Sequence, residues 1–242
     1  SADGRVGLGH RRLSILDLSA HGHQPMHSAC GRWSMVFNGE IYNFAEIRAE
    51  LQLLGHQFSG TGDSEVILAA FAQWGMQALQ RFIGMFAIAL WDAQAQSLHL
   101  IRDRLGVKPL YYGWLGGVLF FGSELKALRS FTSWPVSLDR EAMVDYFRYG
   151  YIADPRSIYQ GVKKLAPGHH LVLDSADGPQ IERYWTVLDA VAKGPRQPTE
   201  DQLTDALESL LESAFRYRMV SDVPVGVFLS GGIDSSLLAA IL

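Results

Sequence analysis

The sequence predicts an α+β fold in which a sheet-rich first unit is followed by the opening elements of a second unit of α/β type. Three observations predict it. Short β-type runs separated by turn residues fill the first part of the chain: VGLGHRRLSIL, WSMVF, MFAIALWD, SLHLIRD, LYYGW and GVLFFGS. Two helical stretches interrupt these runs without strict βαβ alternation, which favours packed layers over a doubly wound sheet. Near the last residues a strand-like VPVGVFL passes through a glycine-containing loop into a helix start.

Taken in order, Asn38-Gly39 lies between WSMVF and EIYNF and predicts a tight hairpin, because both residues tolerate the positive φ of a type I′ turn. Residues 44–54 carry apolar side chains at helical spacing, and Gly55 supplies the stop. EVILAAFAQW, residues 65–74, follows the turn-like GTGDS and predicts a second helix. IGMFAIALW is core strand rather than a cofactor box. After Glu124, ELKALRSF is helical, residues 140–149 form another helix, and HHLVLD and IERYW are strands. AVAKGPRQPTE, residues 190–200, concentrates Pro, Gly and charge and reads as an interdomain linker. A helix over 199–219, with apolar positions at Leu203, Leu207, Leu210, Leu211 and Phe215, opens the second unit.

Composition narrows the function classes. With 242 residues, 48% hydrophobic and 19% charged, the chain is an ordinary globular one with room for two units and a substantial core. A formal charge of -4 and scattered Lys and Arg give no basic field for nucleic acid. The single cysteine, Cys30, excludes an intrachain disulfide and a multi-cysteine metal site, and points to a reducing compartment, the cytoplasm. Apolar runs such as IGMFAIALW fall short of the roughly 20 residues of a membrane span. His21, His23 and His27 lie in a Gly/Pro loop without helical i, i+4 spacing, so a zinc site is not expected. SADG reads as the interior of a surface loop and SSLLAAIL as a helix without a stop signal, so the chain is expected to be truncated at both ends.

The loop SGGIDSS carries chemistry. Gly231 and Gly232 allow a sharp turn and close approach of a ligand, while loop and first-turn N–H groups favour an anion. Ser230-Gly231-Gly232-Ile233-Asp234-Ser235 resembles the S-G-G-x-D-S loop of ATP-pyrophosphatase-type enzymes, which adenylate a carboxylate or carbonyl oxygen. The resemblance implies that residues 230–235 hold the pyrophosphate part of ATP, that Leu229 lies against the adenosine, and that Asp234 ligates Mg²⁺. The plainer alternative is a strand-to-helix turn in which Asp234 and Ser235 cap the helix.

Four further segments resemble the glutaminase domain of class II amidotransferases, the N-terminal nucleophile group. They are GHRRLSILDLSAHGHQPM at 9–26, FNGEIYNF at 37–44, GTGDSEVIL at 60–68, and RDRLGVKPLYY at 102–112 followed by GSELKAL at 122–128. Joined to the S-G-G-x-D-S loop, they resemble glutamine-hydrolysing asparagine synthetases over nearly the whole chain. That resemblance implies a four-layer α/β/β/α glutaminase domain at 1–190, a linker at 191–200, and the start of an adenine nucleotide alpha hydrolase-like ATP-binding domain at 201–242. It also implies a ligase that moves ammonia from glutamine to the acyl-adenylate of aspartate.

Glutamine carries a carboxylate, an ammonium and an amide, so a selective site needs a cation, an anion and donors for an oxyanion. By resemblance Arg12 grips the α-carboxylate and Leu13, Ser14, Ile15 and Leu16 form the adjoining wall. Asp63 pairs with the α-ammonium with Glu40 beside it, and the Asn38 side-chain amide and the Gly39 N–H form the oxyanion hole. Plainer readings stand beside these: a hairpin turn at Asn38-Gly39, an N-cap at Asp63, a surface ion pair at Arg12. The charges of RDRLGVKPLYY are expected to stabilise its turn.

The family's nucleophile is an N-terminal cysteine, expected upstream of the Arg12 segment; Cys30 matches it in neither place nor context, and Ser1 stands too close to GHRRLS. The implied partners are glutamine and aspartate or another carboxylate acceptor, with a second copy of the chain left open. Residues that choose the acceptor are expected beyond Leu242. Alternatives from other classes are an enzyme aminating a surface-polysaccharide precursor, a β-lactam-synthetase-like adenylating enzyme, and a non-catalytic glutamine-binding module.

Overall fold

The computed structural model describes residues 4–13, 15–130, 137–174, 178–192 and 198–242. Ser14, expected in the glutamine wall, lies outside the described residues, as do residues 193–197 of the expected linker. The strands are β1 (Met26–His27), β2 (Trp33–Ile41), β3 (Gly84–Asp92), β4 (Ser97–Arg102), β5 (Tyr111–Leu115), β6 (Val118–Gly122), β7 (Val162–Lys164), β8 (His169–Asp174) and β9 (Gly178–Arg183). The α-helices are α1 (Phe44–Leu53), α2 (Asp63–Trp74), α3 (Ala78–Arg81), α4 (Leu125–Arg129), α5 (Arg140–Tyr149), α6 (Val187–Ala192), α7 (Glu200–Arg218) and α8 (Ile233–Ile241).

Two compact units divide the chain. The first is formed by the described residues of Ser1–Arg11, Gln24–Ile41 and Gly84–Thr186, and it holds every named strand. Six strands run β1-β2-β3-β4-β8-β9 and three run β6-β5-β7, with antiparallel pairing throughout. One core joins the two sheets: Val36, Ala89, Trp91, Leu98, Leu100 and Leu171 meet Leu110 and Tyr112, with Val6 and Leu8 packed at the margin. Within β3 and β4 almost every position is buried, as expected for strands read as near-continuous apolar runs.

The crossing between the sheets is RDRLGVK, and its charges stabilise the turn as expected. Buried Asp103 accepts from the backbone N–H groups of Phe86, Leu105, Val107 and Lys108 at 2.9–3.2 Å. Buried Arg102 donates to the carbonyls of Gly106, Lys108 and Leu165 and pairs with Asp154 at 3.1 Å. A carboxylate with four backbone donors fixes a tight loop that would otherwise leave those N–H groups unpaired. Elsewhere in the unit His99 and His170 stack, with Nδ1 and Nε2 2.9 Å apart, and burial pushes His170 down to about 4.

The second unit, Arg12–His23, Tyr42–Ile83 and Val187–Leu242, contains helices and loops. α1 ends as the sequence predicts, with Gly55 at φ +94° donating to the Gln52 carbonyl. α7 begins at a capping box in which Thr199 and Gln202 exchange side-chain and backbone bonds. Its Leu203, Leu207 and Leu210 are exposed.

The structure corrects three sequence expectations and removes one of the plainer alternatives. Asn38-Gly39 is no hairpin: β2 runs straight through both residues and pairs with β3 from Trp33 opposite Asp92 to Ile41 opposite Gly84. A long apolar partner strand overrides the local turn preference. The described residues of 6–16 form no strand although Val6 and Leu8 alternate inward, because among the described residues no strand pairs with them. VPVGVFL likewise forms no strand; residues 224–229 are exposed, and among the described residues no strand lies beside them to form a ladder. Asp63 is the first residue of α2 rather than its N-cap, a place taken by Gly62.

Candidate functional site

The predicted glutamine residues fall in both units, and each group is built by different local physics. In the first unit, Asn38, Gly39 and Glu40 are consecutive in β2. Gly39 has φ +153°, and a Cβ there would stand 2.0 Å from the Met85 carbonyl oxygen and 2.7 Å from the Phe86 Cα. Gly84 is the reciprocal case, since a Cβ there would lie 2.2 Å from the Glu40 carbonyl oxygen. The two glycines let β2 and β3 approach closely at the segment that carries the predicted oxyanion donors.

The strand is fixed on either side of that segment. Phe37 N–H donates to the buried Gln24 Oε1 at 2.6 Å, and Phe86, opposite Gly39, donates to Asp103 at 3.1 Å. The Asn38 side chain is oriented too: its Nδ2 donates to Ser123 Oγ at 2.9 Å, just after β6 ends. Glu40 is half-buried, and burial pushes its carboxyl up, partly offset by the positive charge of Lys108.

In the second unit, Arg12 is half-buried and its guanidinium donates to the Leu16 carbonyl. Gly22 makes room for it: a Cβ there would stand 2.3 Å from Nη1. Leu13 is 85% exposed, Ile15 half-buried and Leu16 buried, so these residues do not form one apolar wall of uniform burial. Asp63 is buried in the first turn of α2, where the helix dipole favours a carboxylate.

Asp17, which the sequence reading passed over, ties these pieces together. It is buried at φ +51° and accepts from Ser19 Oγ at 2.5 Å, Ser19 N at 3.0 Å, Thr61 N at 3.0 Å and Gly62 N at 3.4 Å. Its carboxyl is held below the usual range, first by the Ser19 hydroxyl and then, against the cost of burial, by the Thr61, Ser19 and Gly62 N–H groups. Arg48 clamps the same loop from α1, donating to the carbonyls of Gly60 at 2.8 Å and Gly62 at 2.7 Å. Asp17, Ser19 and the loop that leads into α2 are thereby one braced assembly. The LDLS string was the available signal, because an Asp followed two residues later by Ser marks a side-chain-to-backbone turn.

The nucleotide loop is also in the second unit. Gly231 has φ +80°, Gly232 is the N-cap of α8, and neither Asp234 nor Ser235 caps the helix through its side chain. Ser230 N–H donates to Ser235 Oγ at 3.3 Å, and the two hydroxyl oxygens lie 3.0 Å apart. Loop N–H groups, two hydroxyls and a helix N-terminus form a donor set that suits a polyphosphate. Asp234 is exposed in the first turn, and among the described residues no cluster of three His, Cys, Asp or Glu could hold a metal by itself. The residues thus fit a Mg²⁺ ligated by one carboxylate together with phosphate oxygens. Cys30 is exposed, 3.3 Å from Ser28 Oγ, and that contact lowers its thiol pKa.

An antiparallel two-sheet core with an Asn-Gly strand and a braced Arg-Asp loop defines a glutamine amidotransferase of the N-terminal nucleophile fold class. The chain belongs to that family: its residues 1–185 match the model described as Glutamine amidotransferase domain, and residues 206–242 match Asparagine synthase. It is 38% identical over 241 residues to a glutamine-hydrolyzing asparagine synthetase 3 of Bacillus subtilis, covering 98% of this chain and 38% of the relative. It is 37% identical to Amidase chry2 of Gibberella zeae, covering 98% of this chain and 35% of the relative. Among solved structures, glutamine phosphoribosylpyrophosphate amidotransferase from B. subtilis superposes with a TM-score of 0.52 at 16% identity, over 96% of this chain and 48% of that one. The chain therefore spans little more than a third of the length of these two relatives.

Proposed function

We propose that these residues are the glutamine-binding and ATP-loop portion of an amide-transferring ligase. Its complete reaction converts glutamine, aspartate, ATP and water to asparagine, glutamate, AMP and pyrophosphate, the water being consumed in the hydrolysis of the glutamine amide. The observation that carries the reading is the union in one chain of a glutamine amidotransferase match at 1–185 with an S-G-G-x-D-S loop opening α8 inside an asparagine synthase match at 206–242. The same matches support a glutaminase domain at 1–190, a linker at 191–200 and the start of an ATP-binding domain at 201–242.

In this reading Arg12 holds the glutamine α-carboxylate, Asp63 holds the α-ammonium with Glu40 beside it, and residues 13–16 line the side. The Asn38 amide and the Gly39 N–H stabilise the oxyanion when the amide is attacked, an effect worth about 2.7–4 kcal/mol per donor. The attack belongs to the cysteine that the family resemblance places ahead of the Arg12 segment. Leu229 and residues 230–235 hold ATP with Mg²⁺ at Asp234, and the nucleotide supplies the activation of the acceptor carboxylate. No described helix is long and apolar enough to cross a membrane, and the single cysteine supports a cytoplasmic setting.

The test is a pair of substitutions in the complete enzyme. Asp63→Ala lowers glutamine-dependent synthesis by about a hundredfold, the effect of unpairing a buried charge contact, and spares ammonia-dependent synthesis. Asp234→Ala abolishes AMP formation from either nitrogen source. Equal loss of both activities in Asp63→Ala, or full AMP formation in Asp234→Ala, overturns the reading. A second acceptor stays in view for one reason: Amidase chry2, named for a different activity, is 37% identical over this stretch against 38% for the Bacillus synthetase, so similarity over these residues does not fix the acceptor. Aspartate omission from the assay separates the two.

A further inference from the structure

One contact joins the segment leading to the ATP loop with the loop that carries Arg12, and the proposed function does not use it. Asp222 N–H donates to the Ile15 carbonyl at 3.1 Å, and Asp17 N–H donates to Asp222 Oδ2 at 2.7 Å. Both bonds lie within the second unit and bracket Leu16 from a residue distant in sequence. Asp222 is itself held in a turn, where Val223 N–H donates to Ser221 Oγ at 3.1 Å.

The contact closes a system that is otherwise complete on one side only. The Asp17 carboxylate is saturated by Ser19, Thr61 and Gly62, so it ties the loop toward α2 and Asp63. The Asp17 N–H and the Ile15 carbonyl face the other way and find their partners on Asp222. Residues 15–17 are thus pinned between two brackets, one from the Asp63 side and one from the chain that continues through Val223–Leu229 into the S-G-G-x-D-S loop. The Arg12 guanidinium depends on that pinned segment, because its acceptor is the Leu16 carbonyl.

We propose that Asp222 is a positioning residue for glutamine: from the ATP-loop side it fixes the backbone of residues 15–17 and so places the Arg12 guanidinium. The inference rests on the glutamine reading given above. It makes the glutamine site dependent on a carboxylate carried by the synthetase segment and acting through the backbone of residues 15–17.

The test uses the complete enzyme with Asp222→Ala and Asp222→Asn. The alanine keeps the backbone bond to Ile15 and removes only the acceptor for Asp17 N–H. Loss of a hydrogen bond to a charged group raises the glutamine KM by about tenfold, with kcat and ammonia-dependent synthesis within about twofold of the parent. Asparagine retains a side-chain oxygen at that place and restores the KM to within about threefold. An unchanged KM in Asp222→Ala, an equal fall in ammonia-dependent activity, or an asparagine variant as impaired as the alanine overturns the proposal. Asp63→Ala in the same assay separates the two claims. If it cripples glutamine use while Asp222→Ala does not, only the positioning role falls; if it has no effect, the glutamine reading itself falls.

Discussion

The two groups of predicted glutamine residues reach rigidity by opposite means. Asn38, Gly39 and Glu40 are held by a sheet, where nine consecutive pairings between β2 and β3 fix the backbone and two glycines permit the close approach. The loop segments around Asp17 and ahead of α2 have no ladder and are held by side chains instead: Asp222 accepts from the Asp17 N–H, the Asp17 carboxylate from the Thr61 N–H, and Arg48 donates to the Gly60 and Gly62 carbonyls. A ladder distributes its load over many equivalent bonds, whereas a carboxylate hub concentrates it on one residue. Damage to the first should be felt by the whole unit, and damage to the second mainly by the ligand.

The sharpest way to break that comparison is Gly39→Ala. The new methyl group meets backbone rather than a movable side chain, so the strands must part, at a cost of about 3 kcal/mol or more. For a chain of this size that lowers the unfolding midpoint by several degrees, at about 2–4 °C per kcal/mol. Calorimetry of the variant showing an unchanged midpoint would mean that β2 and β3 are not as closely packed as described. Asp17→Ala is the counterpart in the loop. It strands the donors of Ser19, Thr61 and Gly62, of which the more exposed turn to water, for a net cost of roughly 1–3 kcal/mol. Expressed locally, that raises the glutamine KM by about tenfold or more while the midpoint moves less than in Gly39→Ala. If the ranking of the two midpoints came out reversed, the contrast between ladder and hub would be lost.

The same contrast decides what the sequence could disclose. β3, β4, β5, α5 and α7 were legible because apolar periodicity, cap residues and run length are local. The course of β2 through Asn38-Gly39 was not, since a local turn preference pointed one way and pairing with a strand more than forty residues along pointed the other. The motifs located Arg12, Asn38, Asp63 and the S-G-G-x-D-S loop, but not what orients them. Gln24, Ser123 and Asp222 act on residues 13 to 205 positions away, and no periodicity encodes such a partner. Asp17 lies inside the 9–26 segment, where an Asp among leucines reads as a surface break in an apolar run. Its burial reverses that impression.

The smallest effect tests whether a strand-borne side chain also needs a brace. The ladder fixes the Asn38 backbone but not its amide, which can rotate; Ser123 Oγ accepts one Nδ2 hydrogen at 2.9 Å and leaves the other available. If the remaining hydrogen stabilises the oxyanion, removing the Ser123 hydroxyl loosens the amide without removing it. Ser123→Ala should therefore lower glutamine-dependent kcat by about fivefold, the scale of one neutral hydrogen bond, with little change in KM. Asn38→Ala alone should lower it by about 10²–10³. The decisive measurement is the double substitution: with the amide gone, Ser123→Ala has nothing left to orient and costs nothing further. A fivefold loss that persists in the Asn38→Ala background places the action of Ser123 elsewhere, and the Asn38 amide then needs no brace from Ser123.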